Sequence, residues 1–397
     1  MISSTFSVAL VLLGANAHAR SGAAQAPDTI IDAKRARSIP MDAASHRWAK
    51  APPMTVTLLR QRTVPLMDRD ANAALDAAGP RSATIRALYT ADTIGVMVEW
   101  EDASMNELQL VDSGFGDAAA ISFPTVIGPD VALPYIGMGD IEHPVVISLK
   151  RANADDVYER QFIAAGFGSL MPIDINTSMS LSYSEDEQTW SAIFVRPMTD
   201  HNADLSHGLV PFSIALWDGA GHERGGYKSV MRWHALRLEK LGPDEAYAEA
   251  LRWGEDGRVV GDAAHGRELA GQLCAACHRF GDKQLAPPGM APNLSALGGQ
   301  AAASYIRDSI AEPSRVVVRN PNQNRHYNLQ AERDSRGGFP ANPMYAWFTV
   351  DDDGVRTSKM PTYGHLSESD VDDIVSFLKS IGTGAPPVSP DPPRGTQ

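Results

Sequence analysis

Apolar and polar residues alternate along several short segments in the first 240 residues of the chain. Ile94, Val96, Val98 and Trp100, for example, occupy every second position ahead of Glu101. Alternation with a period of two is typical of strands that bury one face. Comparable segments lie at residues 145–149, 181–183, 190–194, 212–216 and 230–238, and the pair at 181–194 predicts a hairpin. Many short strands separated by turn residues predict an all-β fold, a sandwich or a barrel.

The hydrophobic period becomes helical after about residue 261. Val371, Ile374 and Leu378 lie on one face of a helix, which a capping-box-like Ser367 begins and Gly382 ends. A second helix is predicted at 302–310. We therefore expect a β-sandwich domain at residues 20–250, a linker at 251–260, an all-α domain at 261–383 and a proline-rich, disordered tail at 384–397.

The N-terminus has the pattern of a signal peptide. Residues 6–15 are apolar but too few to span a bilayer, and Ala17-His18-Ala19 has the small-x-small form of a cleavage site. Residues 1–5 lack the usual Lys or Arg. We expect residues 1–19 to direct export to the periplasm. We find no other segment long and apolar enough to cross a membrane, so the mature chain is expected to be soluble and without a transmembrane segment.

Charge and cysteine content narrow the functional classes. The chain has 397 residues and a net charge of -13, which argues against nucleic acid or an anionic membrane surface as its partner. Residues 261–397 carry 15 acidic and 13 basic side chains, so most of the negative charge precedes them. Two cysteines exclude a disulfide-stapled scaffold and any four-cysteine metal site within the chain.

Both cysteines belong to one motif, Cys274-Ala-Ala-Cys277-His278. This is the C-x-x-C-H pattern of c-type heme attachment, in which two thiols bind the porphyrin edge and the histidine ligates the iron. A thioredoxin-like dithiol would need a βαβ context, and a zinc site would need a fourth ligand from elsewhere. We therefore predict one covalent heme c, held by Cys274 and Cys277 with His278 as an iron ligand.

The sixth ligand of that iron is predicted to be Met360, in Lys-Met-Pro just before the last helix. A thioether ligand raises the reduction potential. Met344 and Met290 are the alternatives, and any one of these methionines could instead fill a core.

The C-terminal region resembles class I cytochromes c. The resemblance is carried by Gly266, the heme motif, the segment 291–294, Met360-Pro361 and the helix 366–381. It covers about residues 261–383 and departs from the family pattern in an insertion-like stretch at about 316–349, which is rich in Asn and Arg.

The β-rich region resembles another family, the heme b γ subunits of molybdenum enzymes of the DMSO reductase family. These include the ethylbenzene dehydrogenase, dimethyl sulfide dehydrogenase and nitrite oxidoreductase types. The main matching pieces are Pro-Tyr-Ile-Gly-Met-Gly at 134–139 and Glu-Arg-Gly-Gly-Tyr-Lys-Ser-Val at 223–230. Shorter ones lie at 87–89, 94–102, 121–124 and 216–219, and the resemblance covers about residues 38–240.

This second resemblance implies a non-covalent heme b whose iron lies between Met138 and Lys228. The chemistry is coherent, because a buried lysine readily loses its proton and can then donate a lone pair. On the residues alone, Met138 could be a core methionine and Lys228 a solvated one. Histidine ligation is the other alternative, and the β region offers His143, His201, His207, His222 and His234.

Together the two resemblances imply a diheme electron-transfer subunit. We expect it to shuttle electrons between a periplasmic molybdenum subunit with its iron-sulfur subunit and a soluble cytochrome or other redox partner. Irons with two protein ligands transfer electrons and have no open position for a substrate, so we expect no catalytic residues. Two alternatives remain: a diheme enzyme such as a peroxidase, and a β-sandwich binding module tethered to a monoheme cytochrome c.

Overall fold

The structure, a computed structural model, describes residues 30–61, 79–108, 115–128, 131, 133–140, 142–153, 158–166, 169–238, 261–281, 283, 285–286, 291–295, 297–315, 348–350 and 356–382. The predicted signal peptide at 1–19, the linker at 251–260 and the tail at 384–397 lie outside these residues. So do the two alternative methionines, Met290 and Met344.

The first part of the chain is all β, as predicted. Its strands are β1 Ile30–Arg35, β2 Met54–Arg60, β3 Arg81–Tyr89, β4 Thr93–Glu101, β5 Ala118–Pro124, β6 Val145–Arg151, β7 Tyr158–Ala164, β8 Met171–Ile173, β9 Ser178–Ser184, β10 Thr189–Pro197, β11 Leu209–Trp217, β12 Ser229–Met231 and β13 His234–Leu238. They form one sheet in the order β8-β7-β6-β5-β11-β12-β2-β3-β4-β10-β9. In addition, β1 pairs with β3 and β13, and β13 pairs with β11.

The two halves of this sheet share one core. Ile85, Val96 and Phe194 from β3, β4 and β10 belong to the same buried cluster as Ile121 and Ile214 from β5 and β11. Side chains at every second position of a strand point to one face, so alternate residues of both halves meet there. A hydrogen bond also joins the two halves, because Ser148 Oγ on β6 donates to Oγ1 of Thr177, just before β9, at 3.0 Å.

Two local expectations can be compared with the strands directly. The hairpin at 181–194 is confirmed, because β9 and β10 are antiparallel with Tyr183 opposite Trp190. The single strand expected at 230–238 is wrong in detail, because the structure divides it into β12 and β13. The indole of Trp233, between them, donates from Nε1 to the carbonyl of Pro134 at 2.8 Å, so the chain leaves the sheet register there.

The C-terminal part is mainly helical. It contains α1 Ala263–Leu273, α2 Leu297–Gln300, α3 Ala303–Ala311 and α4 Glu368–Ser380, with a small antiparallel pair, β14 Phe348–Val350 and β15 Arg356–Ser358. The Ser367 hydroxyl caps α4 by accepting from the Asp370 amide, which confirms the predicted start. The apolar face of α4 packs on α1, and the rings of Phe280 and Phe377 meet at 5.8 Å.

The crossing of α1 and α4 depends on Gly266. A Cβ atom at this position would overlap the carbonyl oxygen of Asp373, so the two helices approach as closely as backbones can. The Asp373 carboxylate also accepts a hydrogen bond from the Asp262 amide at 2.5 Å, and its Oδ2 atom lies 2.7 Å from Nδ1 of His265. The crossing therefore combines close backbone packing with a carboxylate that binds both groups at the start of α1.

Among the helices that the structure describes, none is both long and apolar enough to cross a bilayer.

Candidate cofactor sites

The cysteine motif forms a helical turn directly after α1. The amides of Cys277 and His278 donate to the carbonyl of Cys274, at 3.0 and 2.8 Å. Ala275 is 1% exposed and packs in the helical core, which fixes the orientation of the turn. Cys274 is half-buried and Cys277 is exposed. The turn thus holds two thiols within one turn of each other and places the histidine immediately after them.

A backbone carbonyl orients the ring of His278. Its Nδ1 atom lies 2.9 Å from the carbonyl oxygen of Pro292. Because a carbonyl can only accept, we infer that the proton of the neutral ring is on Nδ1 and the lone pair on Nε2. Burial lowers the pKa of His278, and the hydrogen bond to Pro292 offsets this only in part. The ring is therefore a neutral imidazole with a free Nε2, the form that ligates iron.

The surroundings of the two thiols bear on the chemistry that the C-x-x-C pair can serve. Burial, with a smaller effect of the Cys277 thiol, raises the pKa of Cys274 to about 11. Among the described residues, no group of three potential metal ligands includes either thiol, as a zinc site would require. A thioether bond leaves an uncharged sulfur in the same half-buried position. The donor set therefore fits covalent heme attachment better than a zinc site.

The loop that carries Met360 is fixed beside this motif. The Met360 amide donates to Ser358 Oγ at 3.1 Å, and the Met360 side chain is half-buried. Three residues later, the Tyr363 hydroxyl donates to the carbonyl of Leu273 at 3.0 Å. Leu273 directly precedes Cys274, so the loop is anchored to the end of α1 from which the motif extends.

In the β domain, an apolar surface runs across the outer face of five adjacent strands. Cross-strand pairing places Leu59, Val230, Ala215, Ala120 and Leu149 in one row over β2, β12, β11, β5 and β6. On β2, β12, β11 and β5, a sequence neighbour of each of these residues belongs to the main core, so this row faces the other way. Ala120 is 3% exposed and Leu59 8%, which means that other parts of the chain cover this surface.

Lys228 lies at one end of this surface. Lys228 is only 7% exposed, and its Nζ atom lies 5.3 Å from the centre of the Trp217 ring. Within the described part of the chain, Nζ has no carboxylate partner. Burial lowers the pKa of Lys228 to about 8. An amine buried without a counter-ion favours the neutral state, in which its lone pair can bind a metal.

Met138 lies against the other end. It packs with Ile136 on a cluster of Val145, Ala164 and Trp233. Its φ is 72°, in the left-handed region that a methionine seldom adopts, and its carbonyl accepts from the Gly166 amide at 2.8 Å. The fold thus holds the Met138 backbone in a costly conformation, as is common at functional sites.

Ile147 connects the two ends of the surface. It packs with the cluster that contains Met138 and also with the cluster of Ala118, Ala120 and Trp217. Lys228 lies over that Trp217 ring. Residues 90 positions apart in the sequence therefore share one apolar surface, with a thioether at one end and an amine at the other.

The alternative histidine ligands of the β domain differ in exposure. His201 and His222 are exposed, and His143 and His207 are half-buried. His234 is 5% exposed, and its Nδ1 lies 3.0 Å from the carbonyl of Arg232. His234 is thus the one of the five whose burial resembles that of Lys228.

An acidic cluster at Asp102, Asp117 and Asp218 was missed by sequence reasoning. Their carboxylate oxygens lie within 4.8 Å of one another. Asp117, 0% exposed, accepts from the Gly219 amide at 2.7 Å and from Nε1 of Trp190 at 3.0 Å. Burial raises its pKa to about 6, although backbone hydrogen bonds oppose the shift. The three residues come from separate segments, so no local motif could have revealed the cluster.

Comparisons with known proteins find a matching family model and several relatives. A family model for cytochrome c matches residues 263–382. Chlorate reductase subunit gamma of Ideonella dechloratans is 30% identical over 205 residues, which cover 50% of this chain and 80% of that protein. Dimethylsulfide dehydrogenase subunit gamma of Rhodovulum sulfidophilum is 30% identical over 169 residues, which cover 40% of this chain and 60% of that protein.

A more distant relative is the putative respiratory nitrate reductase heme subunit ORF7 of Haloferax mediterranei. It is 23% identical over 180 residues, which cover 44% of this chain and 62% of that protein. Among solved structures, a family 9 carbohydrate binding module from Caldicellulosiruptor kristjanssonii aligns over 54% of this chain and 97% of its own. Its identity of 11% and TM-score of 0.31 are too low to support an argument about fold or ligand.

Proposed function

The chain belongs to the family of gamma subunits that includes those of chlorate reductase and dimethylsulfide dehydrogenase, and on this premise we propose that it is a diheme electron-transfer subunit. The cytochrome c domain would hold one covalent heme c through Cys274 and Cys277, with His278 and Met360 as iron ligands. The β domain would hold one non-covalent heme b between Met138 and Lys228.

One observation carries the second site. Lys228 is buried without a carboxylate partner among the described residues, on the apolar surface against which Met138 also packs. Burying an unpaired amine is unfavourable unless something binds it. An iron bound by this lone pair would compensate for the cost, which supports a ligand role over that of a solvated lysine.

The protein residues have distinct tasks in this proposal. Each bound heme would supply a one-electron ferric/ferrous couple. Pro292 keeps the proton of His278 on Nδ1, so that Nε2 is available without a proton release. Burial lowers the pKa of Lys228 to about 8, so its amine gives up a proton to a metal more easily than an exposed lysine does, and apolar residues surround it. With two protein ligands on each iron, the chain would pass electrons on and bind no substrate.

The partners follow from the same proposal. We expect a molybdenum catalytic subunit and an iron-sulfur subunit on one side and a soluble cytochrome or other acceptor on the other. Most of the net charge of -13 lies before residue 261, so a partner that docks on the β domain should present basic residues. Export to the periplasm, with residues 1–19 as the signal peptide, would provide the compartment in which heme c is attached.

Metal analysis of the native complex tests this function. Full-length chain carrying an affinity tag, purified from its own host, should contain molybdenum and non-heme iron in constant ratio to heme. Carbon monoxide added to the reduced protein should leave the heme spectrum unchanged, because in this proposal each iron would have two protein ligands. Purification without molybdenum would contradict the proposed partners, and a prompt spectral change with carbon monoxide would favour the diheme enzyme.

A further inference from the structure

The helical domain contacts the β domain next to both proposed heme b ligands. The rings of Tyr135 and Tyr305 lie 5.1 Å apart and are inclined by 34°. Tyr135 is 8% exposed and precedes Met138 by three residues, whereas Tyr305 projects from α3 of the helical domain. Ring pairs at this spacing contribute about 0.5–1.5 kcal/mol beyond their buried area, so this contact favours docking of the two domains.

The Tyr135 side of the contact is rigid. Its carbonyl accepts from the Gly139 amide at 2.7 Å, and its own amide donates to Oδ2 of Asp140 at 3.1 Å. These two bonds close a tight loop around Met138. A displacement of Tyr135 would therefore also move the backbone that positions the Met138 side chain.

A second contact lies at the other end of the apolar surface. Gly299 on α2 packs so closely on the Leu59 side chain that a Cβ atom at 299 would overlap it. Leu59 pairs with Val230, two residues from Lys228, and the Gln61 amide donates to the carbonyl of Lys228 at 2.9 Å. The helical domain thus reaches the pair of β2 and β12, and Lys228 directly precedes β12.

From these two contacts we infer that the helical domain forms a wall of the Met138–Lys228 site, so that the site is complete only when Tyr305 is docked on Tyr135. This inference rests on the proposed function for the identity of the ligand, a heme. The contacts themselves are independent of it. The burial of Ala118 and Ala120, at 0% and 3% exposure on the outer face of β5, agrees with a covered site.

Tyr305 would then be a positioning residue for the Met138–Lys228 site of the β domain. In the full-length holoprotein, Tyr305→Ala should raise hydrogen exchange of the Tyr135 and Gly139 amides by about tenfold, because the loop loses its docking partner. It should also lower the extractable heme per chain, while the covalent heme remains at one per chain. Tyr305→Phe retains the ring and should restore both values.

Two further variants serve as a neutral control on the same helix and as a removal of the contact from the β domain. Ser304→Ala lies on the exposed side of the same helix and should change neither exchange nor heme content. Tyr135→Ala removes the contact from the β side and should reproduce the Tyr305→Ala loss of extractable heme, even if Tyr305→Ala disturbs the helical domain. Unchanged loop exchange and an unchanged b-type spectrum in both alanine variants would overturn the inference. If the wild-type protein lacks extractable heme, the proposed heme b fails, and the exchange data alone decide whether the domains are docked.

Discussion

The Nδ1 atom of His278 lies 2.9 Å from the carbonyl oxygen of Pro292, and burial keeps the ring neutral. This contact leaves the Nε2 atom of a histidine that follows two cysteines unprotonated, as an iron ligand must be. It also separates the function of His278 from that of His265, whose Nδ1 lies 2.7 Å from the Asp373 carboxylate, an interaction that raises its pKa.

The first prediction uses these two histidines as a matched pair. His278→Ala should leave heme covalently attached through the cysteines but abolish the low-spin spectrum of heme c, because the iron loses its nitrogen ligand. His265→Ala should retain the low-spin spectrum and change only the stability of the helical domain. Absorbance and electron paramagnetic resonance spectra of both variants measure this, and a low-spin spectrum retained in His278→Ala would assign the ligand elsewhere.

The second prediction concerns the close crossing of α1 and α4. Gly266→Ala would force a Cβ atom into the Asp373 carbonyl and should destabilise the helical domain by about 1–3 kcal/mol. Gly271→Ala, on the same helix, meets only Lys283 Cε at 3.9 Å. It should be neutral or stabilising by about 0.5–1 kcal/mol, since alanine favours helix. Urea unfolding of both variants measures the difference, and equal effects would show that the crossing is looser than described.

The third prediction follows from the raised pKa of Asp117. Its pKa is about 6 in the folded protein against an ordinary 3.8, so between these values the folded state binds more protons than the unfolded state. The free energy of unfolding contributed by this group should therefore fall as pH rises from 4 to 6. The full decrease, on the order of 3 kcal/mol, should be present at pH 7.

Asp117→Asn provides the control, because asparagine does not titrate. Unfolding curves of the two proteins, compared at pH 4, 5, 6 and 7, should show the wild type gaining stability relative to the variant as pH falls. Parallel profiles across this range would mean that Asp117 has an ordinary pKa. The control cancels the contributions of acidic groups that do not interact with Asp117, whereas those of Asp102 and Asp218 change with it.

The fourth prediction concerns Lys228, whose pKa of about 8 lies below its ordinary value of 10.5. Below pH 8 a proton competes for the amine lone pair, so the apparent affinity of the empty site for hemin should fall about tenfold per pH unit. Above pH 8 the affinity should be constant. Hemin titration of protein whose non-covalent heme has been transferred to apomyoglobin measures this, and a flat profile from pH 6.5 to 8 would argue against amine ligation.

Local sequence was sufficient to predict two features of the helical domain. The cysteine motif and the cap at Ser367 act within a few residues, so their spacing alone predicts the turn after α1 and the start of α4. The resemblance to gamma subunits is confirmed by the relatives that the chain matches. This resemblance was also the basis for predicting Met138 and Lys228 as ligands of a heme b iron, a role that the two residues alone did not indicate.

Features that depend on distant pairing could not be predicted in this way. The Asp117 cluster, the Tyr135–Tyr305 contact and the row from Leu59 to Leu149 each join segments far apart in the chain. The division between β12 and β13 has the same origin, since Trp233 leaves the register to reach Pro134, 99 residues away. Hydrophobic periodicity specifies which face a residue occupies, but not which strand it will meet.

In the proposed function, one chain holds both a covalent and a non-covalent heme. Pyridine hemochrome spectra before and after acid-acetone extraction of the mature protein measure the two directly. We predict one covalent heme c and one extractable heme b per chain, with heme b lost in Lys228→Ala and retained in Lys150→Ala, whose buried lysine pairs with Glu159 at 3.1 Å. Heme c alone in fully matured wild-type protein would rule out the heme b site at Met138 and Lys228 and favour a β-sandwich binding module tethered to a monoheme cytochrome c.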